Sequence, residues 1–159
     1  TRYESSAASD VYKRQDPLIG DVNDAAKKIH QKLKEIESST KPTAIVWGGE
    51  TTVKIKGSGL GGRNQELALI VAELAHQDPI RKSWTFLSGG TDGRDGPTEA
   101  AGAIVDQETC KRILNEGYQV YDFLAENNSN KALKISNDLL HTGATGTNVA
   151  DVQILIVSQ

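Results

Sequence analysis

The run QELALIVAELA, from Gln65 to Ala75, constrains the architecture most. Leu67, Leu69, Ile70, Val71, Leu74 and Ala75 spread around most of a helical circumference. A helix with one apolar stripe lies on a surface, whereas one that is apolar nearly all round is buried on more than one side. The remaining chain must therefore wrap this helix with other elements. His76-Gln77-Asp78-Pro79 closes it.

Those elements are readable. Pro17-Leu18-Ile19-Gly20 is a stub of strand. Val22, Ala25, Ala26, Ile29, Leu33 and Ile36 recur at helical spacing, which predicts an amphipathic helix capped by Asp21. Thr43 to Trp47 reads as a strand, broken by Gly48-Gly49-Glu50, with a second alternating strand over Thr51 to Lys56. Trp84 to Leu87, Ala103 to Val105 and Val152 to Val157 are further strands. Asp106 is placed to cap a helix holding Cys110, Ile113 and Leu114, which Gly117 ends. Val120, Phe123 and Leu124 mark another helix, and Ser129 is placed to cap a short one reaching Ile135. Interleaved strands and helices predict an α/β fold, layered α/β/α around a mixed sheet.

The 159 residues suit one domain with one core. A net charge of −3 gives no basic footprint for nucleic acid. No run of about 18 apolar residues is present to span a membrane. Cys110 is the only cysteine, which excludes an intrachain disulfide and favours a reducing, cytoplasmic setting. Residues 1–15 have no helical or strand period, and DVYKRQ resembles the translation of a sequencing adapter. They are expected to be a non-native tail, with natural coding sequence missing upstream. The polar stretch Glu37 to Pro42 is a candidate domain boundary.

Gly57, Gly59 and Gly62 in GSGLGGRNQE fit the G-x-G-x-x-G pattern of dinucleotide-binding turns. That pattern also needs an acid about 20 residues on, after the next strand. Asp78 lies before that strand, and Asp92 is the first acid beyond it. The preceding TTVKIK alternates, unlike a central parallel strand. The dinucleotide reading is therefore disfavoured. The residues just beyond the glycines are more telling. Arg63 offers a bidentate fork for phosphate or carboxylate, and a helix N-terminus attracts anions. The plainer alternative is a solvated Arg63 with glycines that merely turn the chain. Asp92, Asp95 and Glu99 form an acidic loop in which carboxylates can hold Mg²⁺, accept a hydroxyl proton, or cap backbone N–H groups. TGATGTNVAD, residues 142–151, offers uncharged donors from Thr145, Thr147 and Asn148 for an anion nest or for a long turn. No Walker loop or G-x-S-x-G is present, and His30, His76 and His141 lack metal-ligand spacing. Cys110 reads as core.

Three stretches, GGETTVKIKGSGLGGRNQELAL, SGGTDGRDGPTEAAGAIVD and HTGATGTNVADVQILIV, together resemble the MOFRL-type C-terminal domain of class II glycerate 2-kinases. Members of that family are also labelled hydroxypyruvate reductase. The resemblance implies that residues 41–159 are this domain and that 16–40 are the end of a mostly missing N-terminal Rossmann-like nucleotide-binding domain. It implies ATP-dependent phosphorylation of the 2-hydroxyl of D-glycerate, with Mg²⁺, in an interdomain cleft. Arg63 and Asp92 take the catalytic positions of the family pattern. Gly61, Gly62, Asn64, Thr91, Thr147 and Asn148 are the expected substrate- or phosphate-binding residues, and Asp92 and Asp95 the candidate Mg²⁺ ligands. A lysine of the family's site belongs to the missing domain, so the chain alone is expected to be inactive. Removing Arg63 is expected to affect turnover and not folding. Ala144 stands where a proline is usual, and Asn130 where an aromatic is common. The alternative readings are an NAD(P)-dependent hydroxypyruvate reductase module and a non-catalytic anion-binding domain.

Overall fold

The computed structural model describes residues 12–14 and 16–158. In chain order the elements are β1 (Tyr12–Arg14), β2 (Leu18–Asp21), α1 (Val22–Glu37), β3 (Thr43–Thr52), α2 (Arg63–Gln77), β4 (Trp84–Gly90) and β5 (Gly102–Asp106). They are followed by α3 (Thr109–Asn115), α4 (Val120–Ala125), α5 (Ser129–Ser136), β6 (Leu139–Leu140) and β7 (Asp151–Val157). One sheet runs β1-β3-β7-β4-β5-β6, with β2 also paired to β3. β1 and β2 lie parallel to β3 and the other pairs are antiparallel, so the α/β class and the mixed sheet are both present.

The sheet register explains the burial. Ile45, Leu155, Phe86 and Val105 sit opposite one another across four strands, and all four are buried. The next row, Val46, Ile154, Leu87 and Ile104, points to the other face. On that face Ile104 is 40% and Ile156 51% exposed. α2 touches α1, α3, α4, α5 and three strands, so the helices gather on one face around it. That answers its apolar circumference: Leu67, Leu69 and Val71 are fully buried on different sides. Each contributes about 2 kcal/mol by leaving water. The expected third layer is absent among the described residues, so the domain is two-layered with an open sheet face.

The boundary regions also differ from expectation. Residues 1–11 and 15 of the tail lie outside the described residues, but Tyr12–Arg14 form a strand on β3. An unpaired strand edge can recruit any extended backbone, whatever its side-chain pattern. α1 is capped by Asp21, whose carboxylate accepts the Asn23 N–H at 2.8 Å, as its spacing indicated. Yet its buried residues share one core with α2 and the sheet, so the polar linker does not separate two cores.

β3 runs straight through Gly48-Gly49 and stops at Thr52, leaving Val53–Lys56 outside any strand. Pairing on both edges overrides the weak strand propensity of glycine. Gly49 faces Asp151 on one side and Leu18 on the other. Its φ is +138°, and a Cβ there would lie 2.1 Å from the Leu18 carbonyl oxygen. Ser129 opens α5 from a fully buried position and does not cap it; Asn128 holds the cap position. Nor does Asp106 cap α3: Glu108 holds that position, and the Asp106 carboxylate accepts the Glu108 N–H at 2.8 Å in the turn before it.

Candidate active site

The glycine stretch lies over the segment Glu126–Asn130. The Gly59 N–H donates to the Glu126 carbonyl at 2.8 Å, and the Leu60 N–H to Asn128 Oδ1 at 3.2 Å. Asn127 Oδ1 accepts the Lys56 and Gly57 N–H groups, while its Nδ2 donates to Lys54 O and Glu66 Oε1. A Cβ on Gly59 would lie 2.5 Å from both the Glu126 carbonyl and the Asn128 Cβ; one on Gly61 would lie 2.2 Å from Ser129 Oγ. These glycines admit neighbouring chain, and the NNSN sequence is the platform on which they rest. Ten residues, 53–62, separate β3 from α2, unlike the tight strand-to-helix turn of a dinucleotide fingerprint.

The N-terminus of α2 is already filled by an anion from within the protein. Asp95 Oδ1 accepts the Asn64 N–H at 3.0 Å, and Oδ2 accepts the Gln65 N–H at 2.9 Å. The side-chain amides Asn64 Nδ2 and Gln65 Nε2 donate to the same carboxylate. Asp95 is buried, and burial pushes its carboxyl above the ordinary range against the pull of these donors. A Cβ on Gly62 would lie 2.3 Å from Asp95 Cγ. The expectations for three residues change accordingly. Asp95 is a helix cap with both oxygens engaged, not a metal ligand. Asn64 is buried, with its Oδ1 accepting from Ser88 Oγ at 2.6 Å, so it does not face a ligand. Gly62 makes room for Asp95.

Arg63 projects the other way, toward the end of the sheet. Its Nε donates to Asp151 Oδ2 at 2.7 Å and its Nη2 to Asp151 Oδ1 at 3.0 Å, a bidentate pair. Nη1 donates to Glu50 Oε1 at 2.8 Å. The Asp151 side chain is 1% exposed and that of Glu50 60%. Hydrogen bonding to Asp151 holds the guanidinium still more firmly protonated. Three of the five N–H bonds of a guanidinium are thereby engaged, and one remains on each of Nη1 and Nη2. Arg63, Glu50, Gly59, Gly61 and Glu66 line an open cleft of about 440 Å³. Burial raises the Glu66 carboxyl above its ordinary range, opposed by the hydrogen bond from Asn127.

Asp92 and the 142–150 loop meet at the same end of the sheet. Asp151 pairs with Gly49 on β3 and with Gly90 on β4, two residues before Asp92. Asp92 is half-buried, and its Oδ1 accepts the Arg94 N–H at 3.0 Å. Thr91 acts as a clasp: its Oγ1 donates to Ala150 O at 2.7 Å and accepts the Val149 N–H at 2.8 Å. Thr147 and Asn148 are exposed on the loop so held. Sequence reasoning missed Glu50, Asp151, Glu66 and Asn127. The one available signal was an acid at the head of an apolar strand, Asp151 in DVQILIV. Among the described residues, no three His, Cys, Asp or Glu side chains come together to hold a metal.

The three stretches that meet here recur in known proteins. The MOFRL family pattern matches residues 43–151. The chain belongs to the MOFRL family. A D-glycerate 2-kinase from Thermotoga maritima is 50% identical over 118 residues, covering 74% of this chain and 27% of the relative. A glycerate kinase from Homo sapiens is 49% identical over 120 residues, covering 73% of this chain and 23% of the relative. The crystal structure of a glycerate kinase from Thermotoga maritima matches with a TM-score of 0.86 at 42% identity, over 92% of this chain and 36% of that one. A Pyrococcus horikoshii protein matches with a TM-score of 0.82 at 40% identity, over 93% of this chain and 34% of that one. This MOFRL domain thus spans about a quarter of the length of these curated relatives. No comparison supports a reductase.

Proposed function

We propose that this chain is the MOFRL domain of an ATP-dependent glycerate 2-kinase that phosphorylates the 2-hydroxyl of D-glycerate. In this reading the single core from Leu18 to Val157, α1 included, belongs to one wall of an interdomain cleft, and an upstream nucleotide-binding domain forms the other. The observation that carries it is Arg63, a guanidinium held at the sheet end with two N–H bonds left for an anion. The relatives named glycerate kinase supply the reaction class.

Phosphoryl transfer rests on positioning and charge stabilisation more than on covalent chemistry by the protein. ATP supplies the phosphoryl group. Arg63 donates to its oxygens as charge develops on them. Asp92, beside Gly90, takes the proton of the attacking hydroxyl; the exposed Thr147 and Asn148 bind the substrate's polar groups. The phosphates of ATP do not fit at the N-terminus of α2, because Asp95 occupies it, so the nucleotide is held mainly by the other domain. Mg²⁺ does not fit a site made by this chain alone: Asp95 is engaged as a cap, and no three His, Cys, Asp or Glu side chains come together among the described residues. The buried, free thiol of Cys110 suits a reducing, cytoplasmic setting.

The complete protein, given ATP, Mg²⁺ and D-glycerate, is expected to form 2-phosphoglycerate, and residues 16–159 alone to form none. NADH oxidation with hydroxypyruvate, in a protein that does not phosphorylate glycerate, would overturn the proposal. Turnover by the isolated domain would remove the interdomain cleft from it.

A further inference from the structure

The bidentate contact between Arg63 and a buried acid has a consequence for the reaction. We infer that Asp151 is a positioning residue: it fixes the plane of the Arg63 guanidinium so that the remaining N–H bonds on Nη1 and Nη2 meet the transferring phosphoryl oxygens. The inference rests on the role proposed for Arg63 in phosphoryl transfer.

Four observations carry it. First, Nε and Nη2 both bind Asp151, at 2.7 and 3.0 Å. Two parallel hydrogen bonds fix the plane of the group as well as its distance. Second, the Asp151 side chain is 1% exposed, so water offers its carboxylate no alternative partner. Third, Asp151 heads β7 in the middle of the sheet, paired to both β3 and β4. Its cross-strand neighbours there, Gly49 and Gly90, have no side chains to compete for the space beside it. The Arg63 backbone begins α2, so one end of this side chain is fixed by a helix and the other by a strand. Fourth, Glu50 binds the same guanidinium from a 60% exposed position. It can swing into water when an anion arrives, whereas Asp151 stays. Asp151 touches Arg63 and is shielded from the cleft, so it acts through Arg63 and not on the substrate.

The test uses the complete protein, with Asp151→Asn, Asp151→Glu, Arg63→Ala and the Arg63→Ala/Asp151→Asn pair. Asp151→Asn is expected to lower kcat about 10- to 100-fold and to change KM for D-glycerate less than about threefold. Asp151→Glu is expected to restore part of the loss. In the Arg63→Ala background, Asp151→Asn is expected to cause no further loss, because the group it orients is gone. A readout independent of turnover is the Arg63 Nε–H resonance, expected to be slowly exchanging in the parent and in fast exchange in Asp151→Asn. Wild-type kcat in Asp151→Asn, with Arg63 essential, would overturn this inference alone. An equal further loss in the Arg63→Ala background would do the same. Unchanged turnover in Arg63→Ala itself would remove the role of Arg63, and this inference with it.

Discussion

Two regions a few residues apart treat their polar groups in opposite ways. At Gly57–Gln65, a run that invites a ligand reading is closed by internal contacts. The loop binds Glu126–Asn130, and the helix N-terminus binds Asp95. At the sheet end, Arg63 is anchored by Asp151 yet keeps donors free. Both regions use a carboxylate to hold a positive group. In the first, that carboxylate satisfies the donors; in the second, it aims them. A glycine pattern or a helix N-terminus therefore marks a binding site only after its donors have been traced to their partners.

The largest difference between the two regions is expected at Arg63. Arg63→Ala leaves the Asp151 carboxylate buried and unpaired, and is expected to cost about 3 kcal/mol of stability as well as turnover. The sequence suggested an effect on turnover only. Chemical denaturation checks this, and adding Asp151→Asn is expected to recover much of the stability but none of the activity. On the other side, Asp95→Asn replaces one acceptor oxygen with an amide that faces N–H donors. It is expected to cost about 2 to 3 kcal/mol, read as a lowered denaturation midpoint. Turnover per folded molecule should fall far less than in Arg63→Ala.

Gly62→Ala sharpens the same point. Its Cβ would meet Asp95 at 2.3 to 2.5 Å, so the cap must shift, at about 1 to 2 kcal/mol. If this glycine instead served a ligand, the variant would keep its melting temperature and lose affinity for ATP.

The smallest expected effect is at Glu66, which sits between the two regions. Its folded-state pKa is raised by burial, so it contributes stability that is fully present below the unfolded value and lost as pH rises through the folded value. Glu66→Gln should therefore flatten the stability profile, gaining on the parent as pH rises above the ordinary glutamate range. A pH-independent difference between the two would contradict that cause.

Much of the architecture was legible because it is local and periodic. The spacing of Val22 to Ile36 gave α1 and its cap, and the apolar circumference of Gln65–Ala75 gave a helix wrapped by neighbours. The Gly48-Gly49 break was misread because strand pairing on both edges is not a local property. The third layer was misread because alternation along a strand does not say what covers its second face. The sequence singled out Arg63, through its motif, and not the residues that hold it. Asp151 lies 88 residues from Arg63, and Asp95 lies 31 from Asn64. Nothing in the spacing of these acids tells a cap from a metal ligand.

Arg63→Lys in the complete protein separates the charge of Arg63 from its planar fork. Lysine keeps the charge beside Asp151, which protects the fold, but lacks the planar fork. ATP-dependent phosphorylation of D-glycerate is expected to fall by about 100-fold or more, with the melting temperature within a few degrees of the parent. Parent-like kcat in that variant would contradict the account.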